Sequence, residues 1–244
     1  MWHIFCMSYM TLSLDIFFWD NVRFLSQLNT ECDDYKEIVK SLEKYVVDKK
    51  EPILAYWLAL KAKHASITKL EQIILKSDNL DCTYAFARYI EKANIPLLQS
   101  KIIKSNNVEY ICKFGCFVKN SDKKLCEKLV LNSKNAKYYY FYIKYAKNIN
   151  LQNFKEVIIR SKKPRYLFEL AKRLTDKKDL KKIEDLIIKS KSNTYVRLFA
   201  KNIKGANIDR LENRIISSND IDNMKRFAKD VPNCKRLHKI LTLH

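Results

Sequence analysis

The side chains with the most reactive chemistry in this 244-residue chain are its seven cysteines, and three of them are close enough in sequence to raise metal binding. Cys112 and Cys116 stand one helical turn apart, and Cys126 follows in the next segment. Structural zinc sites are built from tight Cys-x-x-Cys knuckles or from cysteines joined by nearby histidines. Neither pattern occurs, because His3, His64, His238 and His244 are dispersed. The expectation is buried thiols, no metal and no cofactor. An odd number of cysteines spread over a long chain also departs from a secreted disulfide framework and points to reduced thiols in a cytoplasmic setting.

A second chemistry is cationic. Arg88, Lys144, Lys172, Lys201 and Lys229 recur in register, with Cys116 at the remaining place, and four residues before each stands Tyr84, Tyr140, Phe168, Arg197 or Lys225, with Cys112 completing the row. On a helix, residues four apart share a side, so the two rows form one basic and aromatic ridge, which Tyr139, Phe141 and Tyr145 thicken. Rings beside ammonium and guanidinium groups suit single-stranded nucleic acid, since bases stack on rings while cations neutralise phosphates. The same lysines also read as solvated helix ends that complement the macrodipole, with the aromatics packed against neighbouring helices. A further row, Lys76, Lys104, Arg160 and Lys189, reads first as basic residues in a helix's last turn.

These rows are set by a serine. Ser77, Ser105, Ser133, Ser161, Ser190 and Ser218 recur every 28 or 29 residues, each after an aliphatic pair such as Ile102-Ile103 or Ile187-Ile188. Eleven residues before each serine stands Ser66, Asn94, Asp122, Asn150, Asp179 or Asn207, a side chain suited to cap a helix N-terminus. Two residues after it stands Asn79, Asn107, Asn135, Ser192 or Asp220, and Pro164 lies three after Ser161, where proline fits the first helical position. Apolar residues six, nine, ten and thirteen beyond the serine have helical spacing. The spacing predicts a first helix, a tight connection and a shorter second helix in each unit, with the serine as an end-cap or turn residue rather than a nucleophile. Small residues at the tenth place, Ala87, Gly115, Ala171, Ala200 and Ala228, let neighbouring helices approach.

Two glycines and four prolines in the whole chain leave no material for a β-rich fold or a Gly-rich phosphate loop. The fold class is therefore all-α: an α-solenoid of about seven stacked antiparallel helix pairs over residues 33–244, with a divergent hydrophobic helical cap over residues 1–32. The amino-terminal stretch has no basic region or small-residue cleavage site, and Asp15 interrupts its apolar run, so neither a signal peptide nor a membrane span is expected.

Units such as Tyr195 to Ser218 resemble the short tandem helix-pair repeats of proteins from AT-rich bacteria and their phages, and over most of the chain. The resemblance implies an architecture related to HEAT and tetratricopeptide proteins, with a shorter period and no inherited catalytic residue.

Lys+Arg outnumber Asp+Glu by 47 to 27, for a formal charge of +20. Of the basic residues 37 are lysine, a composition that AT-rich coding also favours. The expected function is non-catalytic binding of a large anionic partner, nucleic acid or a nucleoprotein, through the ridge. One alternative is a protein-binding adaptor, or a phage-encoded inhibitor of an RNA-guided host nuclease, with an acidic protein as partner. A remote alternative is a HEAT-like DNA glycosylase, for which Trp57 is the only tryptophan within the array and has no clearly paired aspartate. Contact of the hydrophobic amino terminus with a membrane or a second copy is the remaining expectation.

Overall fold

The computed structural model describes residues 16–25, 27–28 and 30–242, and among them every regular element is a helix. There are sixteen: α1 (Ile16–Leu25), α2 (Asp33–Lys49), α3 (Pro52–Lys61), α4 (Ile67–Lys76), α5 (Leu80–Tyr89), α6 (Ile95–Lys104), α7 (Val108–Phe117), α8 (Lys123–Asn132), α9 (Ala136–Tyr145), α10 (Gln152–Ser161), α11 (Pro164–Ala171), α12 (Lys177–Lys189), α13 (Asn193–Asn202), α14 (Ile208–Ile216), α15 (Ile221–Asp230) and α16 (Lys235–Leu241). Only α1 represents the hydrophobic start of the expected cap, since residues 1–15 lie outside the described residues. No described helix is long and apolar enough to cross a membrane.

The chain forms two compact units, Met1–Cys126 and Glu127–His244, divided inside α8. In the first unit α2 to α7 pack each on the next and on the next but one. The odd-numbered helices α3, α5 and α7 form one layer, and α2, α4 and α6 the other. The second unit repeats the plan with α9, α11, α13 and α15 as its first helices, each also packed on the second helix that follows it.

The serine-referenced columns are the core. Leu70, Leu98, Cys126, Phe154, Ile183 and Leu211 are wholly buried, as are Ile74, Ile102, Val130, Ile158, Ile187 and Ile215 one turn later. Across the layer lie Phe86, Phe114, Tyr142, Leu170, Phe199 and Phe227, none more than 1 % exposed. Burial of each such side chain contributes about 1.5–3 kcal/mol. A helix of some ten residues has little stability alone, so this shared interior is what makes each one form. Contrary to expectation the second helices are not consistently the shorter ones: α12 has 13 residues against 8 in α11, whereas α14 has 9 against 10 in α13.

All six serines do the same work. Each hydroxyl donates to the carbonyl three residues back, Ser77 to Ile74, Ser105 to Ile102, Ser133 to Val130, Ser161 to Ile158, Ser190 to Ile187 and Ser218 to Ile215, at 2.6–2.9 Å. In four turns the same oxygen accepts the backbone N–H two residues on, from Asn107, Asn135, Lys163 and Ser192. The serine thus ties off an orphan carbonyl of the second helix and fixes the entry to the first helix. Between these bonds the chain passes through a left-handed residue: Asn106, Lys134, Lys162, Lys191 and Asn219 have φ of 53, 48, 50, 58 and 54°.

The capping prediction holds at most places. Asn79, Asn94, Asn107, Asn135, Asn207 and Asp220 accept first-turn backbone N–H groups. Asp122 accepts from Leu125 at 2.9 Å, whereas Ser66 and Ser192 make no such bond. Asn150 accepts from Gln152 at 3.2 Å although Leu151 occupies the boundary. Asp179 is not a cap. The helix starts earlier, with Asp176 accepting from the Asp179 N–H at 2.8 Å, because this second carboxylate can end the turn and Lys177-Lys178 are good helix formers. Asp179 instead pairs with Lys155 at 2.7 Å.

One row escaped the sequence reading. Six residues before the serine stand Glu71, Gln99, Glu184 and Glu212, 1–6 % exposed, each reaching the backbone at the start of the following second helix. Glu71 accepts from Asn94 at 2.6 Å, Gln99 from Asp122 at 2.8 Å, Glu184 from Asn207 at 2.8 Å and Glu212 from Leu237 at 2.7 Å, and Glu43 accepts from Ser66. Lys155 occupies this place before α11, and its bond to Asp179 joins the same two positions with donor and acceptor exchanged. Where these bonds form, the row stitches one second helix to the next; Glu127, at the same place in α8, is only half-buried.

Candidate functional site

The expected ridge lies on the first helices, and within the second unit its members fall on successive packed helices: Tyr140 and Lys144 on α9, Phe168 on α11 with Lys172 at its end, Arg197 and Lys201 on α13, Lys225 and Lys229 on α15. The first unit carries Tyr84 and Arg88 on α5, and Cys112 and Cys116 on α7. The two parts of the row therefore belong to different units.

The aromatic members are interior. Tyr84, Tyr140 and Phe168 are 7–8 % exposed. Tyr140 stacks on Tyr166 of α11 with centroids 4.6 Å apart, its hydroxyl accepts from Arg165 Nε at 2.8 Å, and Phe168 lies 6.1 Å from Tyr195 of α13. These rings join one first helix to the next, so their faces do not offer a stacking platform to nucleobases. Tyr139 is 3 % exposed, and its hydroxyl donates to the Leu131 carbonyl.

The cations divide into engaged and unpaired groups. Arg88 donates to Tyr84 at 2.5 Å and lies over the rings of Tyr84, Tyr89 and Phe117. Lys144 sits 5.0 Å from the Tyr145 ring, and hydrogen bonding to that phenol, stronger than the opposing desolvation, raises its pKa. Lys172 pairs with Glu169 at 3.1 Å. Asp230 binds Lys201 at 2.8 Å and also Arg197, and these bonds, that to Lys201 first, hold its carboxyl below the usual range. Lys225 and Lys229 are exposed and make no ion pair with the described residues.

Charge is distributed unevenly between the units. Residues 1–126 hold 18 basic and 15 acidic side chains, a formal +3, whereas residues 127–244 hold 29 and 12, a formal +17. Six of these basic residues stand in or beside three turns of the second unit: Lys134 in the α8–α9 turn, Lys162 and Lys163 in the α10–α11 turn with Arg160 in the last turn of α10, and Lys191 in the α12–α13 turn with Lys189 at the end of α12. All six are exposed, and none forms an ion pair with a carboxylate of the described residues. Arg160 and Lys189 stand in the last turns of their helices, as expected, whereas Lys134, Lys162 and Lys191, each just after the serine, are set apart by their left-handed backbone.

Among the described cysteines Cys82, Cys112, Cys126 and Cys234 are core residues, whereas Cys32 and Cys116 are half-buried. Cys112 and Cys126 are buried, and desolvation pushes the Cys126 thiol up to about 12 and raises that of Cys112, so both stay protonated near neutrality. Among the described residues no three His, Cys, Asp or Glu side chains come together to hold a metal ion. Trp57 packs edge-on against Trp19, with centroids 5.6 Å apart, and against Tyr56.

These features define an all-helical protein of stacked helix pairs with an asymmetric cationic surface. No family model, curated protein or solved structure matches the chain.

Proposed function

We propose that this is a non-catalytic binding protein, an α-solenoid of the HEAT and tetratricopeptide kind acting in the cytoplasm, whose second unit engages a large polyanion, nucleic acid or a nucleoprotein. The observation that carries the reading is the formal +17 on residues 127–244 beside +3 on residues 1–126. A genome-wide bias towards lysine codons would raise both units alike, and it does not account for a surplus confined to one. Exposed Lys172, Lys201, Lys225 and Lys229 on successive first helices add to the field, although Glu169 and Asp230 offset part of it. The repeat units' resemblance to those of AT-rich bacteria and their phages agrees with a binding role and supplies no catalytic residue.

The test is the affinity of the full chain for a 30-base-pair duplex across a salt series. Each phosphate neutralised contributes a slope of about −0.9 in log K against log salt. A steep negative slope is expected, and absence of binding to duplex DNA, duplex RNA and single strands alike would overturn the reading.

A further inference from the structure

Resting on the polyanion reading, we propose that the contact surface is the edge formed by the three turns α8–α9, α10–α11 and α12–α13, where Lys134, Arg160, Lys162, Lys163, Lys189 and Lys191 grip the phosphate backbone of a nucleic-acid duplex. The first helices expected to carry the ridge act chiefly as the support behind this edge.

The edge is continuous within the second unit. Tyr140 on α9 meets Arg165 and Tyr166 near the start of α11, and Phe168 on α11 meets Tyr195 near the start of α13, so the three first helices lie in close register and begin at the same side. Packed helices lie about 8–10 Å apart, so three turns span about 20 Å. Over that length a B-form duplex presents about a dozen phosphate charges, at one per about 1.7 Å of axis.

Two observations set these cations apart from the engaged part of the ridge. Ridge members Arg88, Lys144, Lys172, Arg197 and Lys201 have their charge engaged by a phenol, a ring or a carboxylate, whereas of the six edge cations only Lys163 lies over a ring, that of Tyr166 at 5.2 Å, and none pairs with a carboxylate of the described residues, a freedom they share with Lys225 and Lys229. Lys134, Lys162 and Lys191 also occupy left-handed backbone, which asparagine and glycine adopt more readily than lysine. The same turn is built with Asn106 in the first unit and Asn219 further along the second, so the fold has a better-suited residue for the place and these turns do not use it. Lys50 of the first unit is left-handed too, between Lys49 and Glu51, so the first unit has one such lysine against three in the second. Arg160 and Lys189, by contrast, gain from the negative ends of α10 and α12 and would be tolerated there in any case.

The partner form follows from the rings. A single-strand reader needs exposed aromatic faces, and Tyr140 and Phe168 are covered. Nearer the edge Tyr138 and Tyr166 are half-exposed, but each lies beneath a lysine, Lys137 at 5.5 Å and Lys163 at 5.2 Å, so the edge presents cations rather than open ring faces, and a duplex is bound through its backbone charge without sequence preference.

The test compares two full-length variants by fluorescence anisotropy on a 30-base-pair duplex and on a 30-nucleotide dT strand. Lys134→Asn/Lys162→Asn/Lys191→Asn keeps the backbone conformation and should weaken duplex binding about tenfold or more and lower the salt slope by about 2–3, with a melting temperature at or above wild type. Lys225→Gln/Lys229→Gln, on the ridge, should weaken it less than threefold. A turn variant that binds duplex as wild type does, or wild-type preference for the dT strand, overturns the inference and leaves the polyanion reading standing. Failure of the wild type to bind either probe overturns both.

Discussion

The two units are made from one repeat and differ in what they put on its surface. Behind the surface they match: Phe114 and Phe199 occupy the same core column, and Glu71 and Glu184 make the same buried bond to the next second helix. At the turns they diverge in degree, with Lys50, Asp78 and Asn106 in the first unit where Lys134, Lys162, Lys191 and Asn219 stand in the second. Packing fixes the interior of such a repeat, because each helix must fill the same space against its neighbours, while exposed turn positions are free to differ from one repeat to the next. The charge difference between the units therefore reports on function more directly than the charge of the whole chain.

Interior equivalence gives the largest expected effects. Phe114→Ala and Phe199→Ala should each cost about 3–5 kcal/mol in urea unfolding, since both remove a ring no more than 1 % exposed. A loss in one unit only would break the comparison.

Next comes the buried acceptor row. Glu71→Ala orphans the Asn94 N–H and should cost about 1–3 kcal/mol, whereas Glu71→Gln should be tolerated because Gln99 fills the same role as a neutral amide. Burial raises the Glu71 pKa against the opposing bond from Asn94, so the folded state binds the proton more tightly than the unfolded one. Its contribution is then greatest at low pH and declines as pH rises from the ordinary carboxyl range through the raised value. Denaturation curves at pH 4 and pH 7 should accordingly show Glu71→Gln gaining on wild type at the higher pH.

Asp230→Asn sharpens the contrast between engaged and free cations. The Asp230 pKa is lowered, so its stabilising contribution is present above its unfolded value and lost as pH falls through the folded one. The variant should melt earlier at pH 7, with the deficit shrinking in acid. It should also bind duplex more tightly at pH 7, because a negative charge leaves and Lys201 and Arg197 are released.

The smallest effect concerns the turns. Asn106→Lys should destabilise the chain, and Lys162→Asn stabilise it, by an amount on the order of 1 kcal/mol, read from melting curves.

The helices, their order and most of their caps were legible because serine spacing and apolar columns record local bonds that every unit must make. The acceptor row was not, since Glu71 or Glu184 on a basic helix looks like any solvated acid until the next unit's backbone is seen against it. The ridge was legible as a pattern but not as a surface: helical spacing placed Tyr140 beside Lys144, and only the packing of α11 showed the ring covered and the hydroxyl bound by Arg165. The αL lysines were hidden for a related reason, because nothing in a lysine codes for the backbone angle that makes its choice informative.

The most direct test is lysine footprinting: acetylation of the full chain with and without a 30-base-pair duplex, read by mass spectrometry. Protection should concentrate at Lys134, Lys162, Lys163, Lys189 and Lys191, with Lys36, Lys40 and Lys44 of the first unit unchanged. Uniform protection, or protection centred on the first unit, would contradict the account.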